Sequence, residues 1–78
     1  MNQNCLADVT AYVRESIRET MTVSVGKDSF GNVWLNPPSS KIADKYSHSE
    51  LIAAFAHVAK VEKLSGIKTN DGFSISII

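Results

Sequence analysis

The closest approach to an acid–base pair in this sequence is Glu50 with His57, seven residues apart and on one face of a helix. Two helical turns separate such a pair by roughly 10 Å, too far for the hydrogen bond that general acid–base chemistry needs. Glu50 also has a structural duty, as the acid of a Ser47-x-x-Glu50 capping box. His48 falls at the first position of the same helix, beside the positive end of its dipole, where a cation is disfavoured. His57 lies with Lys60 and Ala53 on the side turned from the expected core. Ser39, Ser40, Ser47 and Ser49 carry hydroxyls without a base and an orienting acid in a recognisable arrangement, and loop or cap duty accounts for them. Cys5 is the one thiol. A helix start can lower a thiol's pKa, so a small redox or thiol protein centred on Cys5 is one reading of the chain.

Metal and phosphate chemistry have less to work with. Cys5, His48 and His57 make neither C-x-x-C nor H-x-x-x-H spacing. Gly26, Gly31, Gly66 and Gly72 fall in turns or caps, and none begins a G-x-G-x-x-G loop. The expectation is therefore no catalytic residue, no metal and no cofactor.

The frame that positions these residues is small. Seventy-eight residues give room for one domain, 1–78, and the apolar fraction of 44% with 21% charged residues is that of a folded protein. Eight basic and eight acidic side chains cancel, which disfavours an electrostatic nucleic-acid binder. A lone cysteine, a start (Met-Asn-Gln-Asn-Cys) unlike a signal peptide and the lack of a long apolar run read as soluble and cytoplasmic, with no membrane partner.

Leu6, Val9, Val13 and Ile17 recur at helical spacing, predicting a helix over about 4–19 with Asn4 as its cap and Asp8 near its positive end. The period then becomes two. Met21, Val23 and Val25 alternate with Thr22 and Ser24, a turn follows at 27–32, and Val33-Trp34-Leu35-Asn36 returns until Pro37-Pro38 stops it. An irregular stretch runs to Lys45. Ser47 and Glu50 then open a helix that is expected to reach Ser65 and end at Gly66, with Tyr46 and Leu51 as a hydrophobic staple and Leu51, Ile52, Phe55, Val58 and Ala59 as its core face. Glu62 falls on that face one turn later, so either the core stops before it or a cation meets it. Asn70-Asp71-Gly72 joins two last strands, 67–69 and 73–78, with Phe73, Ile75 and Ile77 inward.

The order helix–hairpin–helix–hairpin predicts a two-layer α+β fold, with an antiparallel sheet of three or four strands and both helices on one face. The halves share this plan but little residue identity, which favours convenience of packing over duplication. Alternation leaves Thr22, Ser24, Asn32, Trp34, Asn36, Ser74 and Ser76 on the other face. Small polar neighbours keep the Trp34 ring accessible, and tryptophan is over-represented where binding energy concentrates. Phe30, at the hairpin tip, is a second exposed aromatic.

The leading expectation is a non-enzymatic protein-interaction module, a small regulator or inhibitor binding a partner through Trp34, Phe30, Thr22, Ser24, Asn36, Ser74 and Ser76. In scale and lack of chemistry the chain resembles small accessory or inhibitor proteins carried by phages and other mobile elements. One alternative is a nucleic-acid accessory protein stacking bases on Trp34 beside nearby lysines. A homodimer through the strip of Ala53, Ala56 and Leu64 on the second long helix is a further use of the surface.

Overall fold

A computed structural model describes residues 2–77. The elements run α1 (Gln3–Ile17), β1 (Thr22–Lys27), β2 (Val33–Asn36), α2 (Ser40–Ala43), α3 (His48–Val61), β3 (Ser65–Lys68) and β4 (Phe73–Ser76). The four strands form one antiparallel sheet in the order β2-β1-β4-β3, and the helices pack on one face of it. This is the two-layer α+β arrangement expected, with α2 added inside the stretch read as irregular. Ile42 drives that extra turn of helix: it is buried in the core and brings α2 against β2. Ile78, assigned to the last strand by its alternation, lies outside the described residues.

Helix α1 begins earlier than the Asn4 cap predicts. The cap is Asn2, whose Oδ1 accepts from the N–H groups of Asn4 and Cys5 at 3.0 and 3.1 Å. Its Nδ2 donates to Glu50 Oε2 at 3.0 Å, so one side chain joins the N-terminal caps of both long helices. At the other end Arg14 makes a forked pair with Glu62, at 2.7 and 3.1 Å. The two long helices therefore lie side by side and parallel, and Glu62 does meet a cation.

The capping box of α3 is present in both directions: Ser47 Oγ accepts from the Glu50 N–H, and Glu50 Oε1 accepts from the Ser47 N–H. Tyr46 and Leu51 are both buried, as the staple requires. Leu51, Phe55, Val58 and Ala59 line the core with Ala54, while Ile52 is only half-buried. The helix does not run to Gly66. Its last helical residue is Val61, and Lys63 takes the left-handed position with φ 56°. The Leu64 N–H bonds the Ala59 carbonyl at 2.8 Å and the Lys63 N–H bonds that of Lys60 at 3.3 Å, the paired bonds of a Schellman end. Leu64 is the apolar residue that this motif folds back, and it packs against the core. Gly66 is needed elsewhere, in β3, where an added Cβ would lie 2.8 Å from the Phe73 ring and 3.0 Å from Ala59 Cβ. A side chain at a left-handed position costs about 1 kcal/mol. Lys63→Gly is therefore expected to stabilise the protein by up to about 1 kcal/mol in urea unfolding; a destabilised variant would mean that α3 ends differently.

Within the sheet, Val23, Val25, Leu35 and Ile75 are buried, and Val33 and Phe73 partly so, as the alternation predicts. Two residues depart from it. Met21 and Ile77, at one end of the sheet, are largely exposed, Ile77 at 51%. They pair beyond the last ladder positions, Ile77 N–H to the Met21 carbonyl at 3.4 Å, where parity still points them to the helix side but leaves them uncovered.

The halves also differ in assembly. In the first half the earlier strand, β1, is central; in the second half the later strand, β4, is central. A duplicated unit would place corresponding strands alike, so the topology favours packing over duplication.

Candidate functional site

The face of the sheet away from the helices carries no covering element among the described residues. The register arranges it in rows: Trp34 opposite Gly26; Asn36, Ser24, Ser74 and Ile67 across all four strands; Thr22, Ser76 and Ser65 beyond. Five of the expected residues (Thr22, Ser24, Asn36, Ser74, Ser76) thus fall on one surface with Trp34. Ser24 and Ser74 join hydroxyls across the central strand pair at 2.9 Å. No charged side chain stands in these rows. Lys27 and Lys68 share the parity of the core residues instead, so no strand lysine lies beside Trp34.

Trp34 is 43% exposed. A Cβ added to Gly26 would sit 2.2 Å from Trp34 Cζ2 and 2.6 Å from Cε2, so the indole packs directly on the bare Gly26 backbone. An aromatic ring laid across a strand glycine covers the backbone that glycine leaves open. The ring is therefore both packed and accessible: its position is fixed by its own sheet while part of it meets solvent.

Phe30 is 89% exposed at the tip of the β1–β2 hairpin. Asp28 builds that tip. Its Oδ1 accepts from the Phe30 and Asn32 N–H groups, both at 2.9 Å, and its carbonyl accepts from Gly31, which has φ 85°. A well-bonded loop thus holds an apolar ring in water.

Ile67 was not among the expected contact residues. It is 61% exposed and stands on the open face beside Ser74. Strand alternation counted from Ser65 would have placed it there, but Ser-Gly-Ile-Lys has no polar–apolar alternation to count.

The residues considered for chemistry are dispersed. Cys5 is 1% exposed with Sγ 3.7 Å from the Glu50 carbonyl oxygen. Burial pushes its thiol up, and Glu50 and Asp8 add to this, the reverse of the lowered pKa expected of a helix start. His48 is the first residue of α3, and its Nε2 lies 2.6 Å from the Asp71 carbonyl, which can only accept; this contact ties α3 to the β3–β4 turn. His57 is exposed on α3 and lines a shallow groove between α1 and α3 with Leu6, Thr10 and Val61. Among the described residues no three His, Cys, Asp or Glu side chains come together, and no helix is long and apolar enough to cross a membrane.

The carboxylates serve to join elements. Asp8 accepts from the Tyr46 hydroxyl at 2.5 Å and from Lys45 Nζ at 3.3 Å, clasping α1 to the residues before α3. The Tyr46 hydroxyl bond, then Lys45, holds the Asp8 carboxyl below its usual range. Glu50 is lowered first by the Ser47 backbone donor and then by Asn2, and Glu62 by Arg14. Each group is more acidic folded than unfolded, so its contribution is present above the unfolded value near 4 and is lost as pH falls through the lower folded value. Stability is expected to decline from about pH 5 downward. Replacing all three by the amides (Asp8→Asn, Glu50→Gln, Glu62→Gln) should flatten that acid limb in thermal melts. An acid limb of unchanged steepness would assign it to other groups.

No protein-family model matches this chain, and no match is found among the curated proteins or the solved structures.

Proposed function

We propose that this protein is a non-enzymatic binding module, a small regulator or inhibitor that acts by occupying a partner protein's surface. The observation that supports it most is the uncovered sheet face with a pre-positioned Trp34. A ring already fixed on Gly26 loses little conformational freedom on binding, and aromatic anchors ringed by small polar groups are where interface energy concentrates. Ile67 at the far side of the same face adds a second apolar contact, and the serine and threonine hydroxyls between them supply hydrogen bonds without a charge to desolvate. The same neutrality leaves the nucleic-acid alternative without cations on this face among the described residues, and the buried, less acidic thiol takes support from a redox role for Cys5.

The test is a partner recovered with the wild-type protein and then titrated against variants. Trp34→Ala is expected to weaken binding by at least about 2 kcal/mol, roughly thirtyfold in Kd, while the protein stays folded because the lost ring is only half-buried. Unchanged affinity in Trp34→Ala, or binding to generic DNA or RNA that collapses with added salt, would reject the assignment.

A further inference from the structure

Among the described residues, strand β2 stands at the edge of the sheet and is paired on one side only. In an antiparallel ladder alternate residues turn both N–H and C=O toward the same neighbour. The Asp28 N–H bond to the Asn32 carbonyl, at 2.9 Å, continues the β1–β2 register and sets the phase. Asn32, Trp34 and Asn36 therefore face β1, and Val33 and Leu35 direct their backbone groups outward. A groove of about 330 Å³ runs beside this edge. Its lining includes Val33, Trp34 and Leu35, three consecutive residues whose side chains alternate between the two faces, so the groove follows the strand's edge and not either face. Its far wall is the segment from Pro38 to Asp44. Asp44 is exposed and the one charged residue of that lining.

We infer that this edge takes an extended segment of a partner protein as a fifth strand. The inference rests on the protein-binding reading above and adds the form of the ligand. An outward row of backbone donors and acceptors in a groove is complementary to another extended chain, which satisfies them with its own backbone. The segment's side chains would alternate between the open face, beside Trp34, and the groove wall. Those toward the faces are β-branched or apolar, and one is a Lys or Arg that meets Asp44.

The probe is a set of short synthetic peptides alternating valine with threonine, with a single lysine moved through the sequence. The expected result is saturable binding by at least one member, with slowed hydrogen exchange of the Val33 and Leu35 amides. Methylating alternate peptide nitrogens should abolish binding in one phase and spare it in the other. Val33→Pro should weaken binding at least about tenfold, because it removes an outward donor at the first residue of a strand, where proline is tolerated. Should that variant melt early, Asp44→Lys replaces it, with an expected loss of up to about fivefold confined to lysine-bearing peptides. Absence of binding by every peptide overturns the inference, and so does binding indifferent to nitrogen methylation and to Val33→Pro. Binding that ignores those changes but falls with Trp34→Ala would move the site to the open face, leaving the binding-module reading intact. Concentration-dependent dimerisation without peptide that protects the same two amides would assign the edge to a second copy of the chain and overturn the inference.

Discussion

Phe55→Ala is expected to lower stability by about 3–5 kcal/mol. The ring is fully buried on α3, next to Leu51 and Val58 in the core and tilted at 44° to the Tyr12 ring with centroids 6.1 Å apart. Tyr12 cannot follow a shrinking neighbour, because its hydroxyl donates to the Pro37 carbonyl at 2.6 Å and thereby fixes α1 to the end of β2. Burial pushes that hydroxyl's pKa up to about 12, so the donor stays protonated at any ordinary pH. The cavity should remain largely open. For a chain of this size the loss corresponds to a thermal midpoint lower by well over about 10 °C. A midpoint within about 3 °C of wild type would mean that α3 turns another face to the sheet.

Gly72→Ala should cost about 3 kcal/mol or more, at the upper end of what overpacking does. A Cβ at Gly72 would lie 1.7 Å from the Val25 carbonyl oxygen and 2.8 Å from Gly26 Cα, and both are backbone in a central strand that cannot give way. Gly72 does not have a positive φ; it is glycine for space. Gly31 is the converse, with φ 85° and nothing within 4 Å of an added Cβ. Gly31→Asn should therefore be nearly neutral, since asparagine tolerates the left-handed region. Chemical unfolding of the two variants side by side checks the order. A tolerated Gly72→Ala beside a damaging Gly31→Asn would place the hairpin differently on β1.

Local signals carried much of the fold, because their partners sit within a few residues. Ser47 with Glu50, Tyr46 with Leu51, and the alternation through Val23 and Val25 each specify their own neighbourhood. What the sequence concealed depends on residues far apart. Gly66 resembles a helix stop until Ala59 and Phe73 are seen to require bare backbone there, and only then does Lys63 emerge as the left-handed residue. Asp8 looks like a dipole partner, yet Tyr46, 38 residues away, is what it binds. Gly26 reads as a turn residue, although it is the bed of the Trp34 ring, inside a strand. The candidate surface was legible through parity on β1, β2 and β4. It was incomplete on β3, where a glycine and a lysine occupy the inward positions and hide Ile67's orientation.

The central pairing of β1 with β4 has a consequence for how the chain acquires its structure. Residues joined there, such as Ser24 and Ser74, are 50 positions apart. Closing a loop of that length costs about 3.5 kcal/mol beyond a constant, from (3/2)RT ln n, before any burial offsets it. The first helix and hairpin leave Val23 and Val25 without β4 and α3 against them, so a nascent chain has no stable half to rest in. Folding should wait for β4 to leave the ribosome and then proceed in a single cooperative step, at the slower rate set by distant contacts.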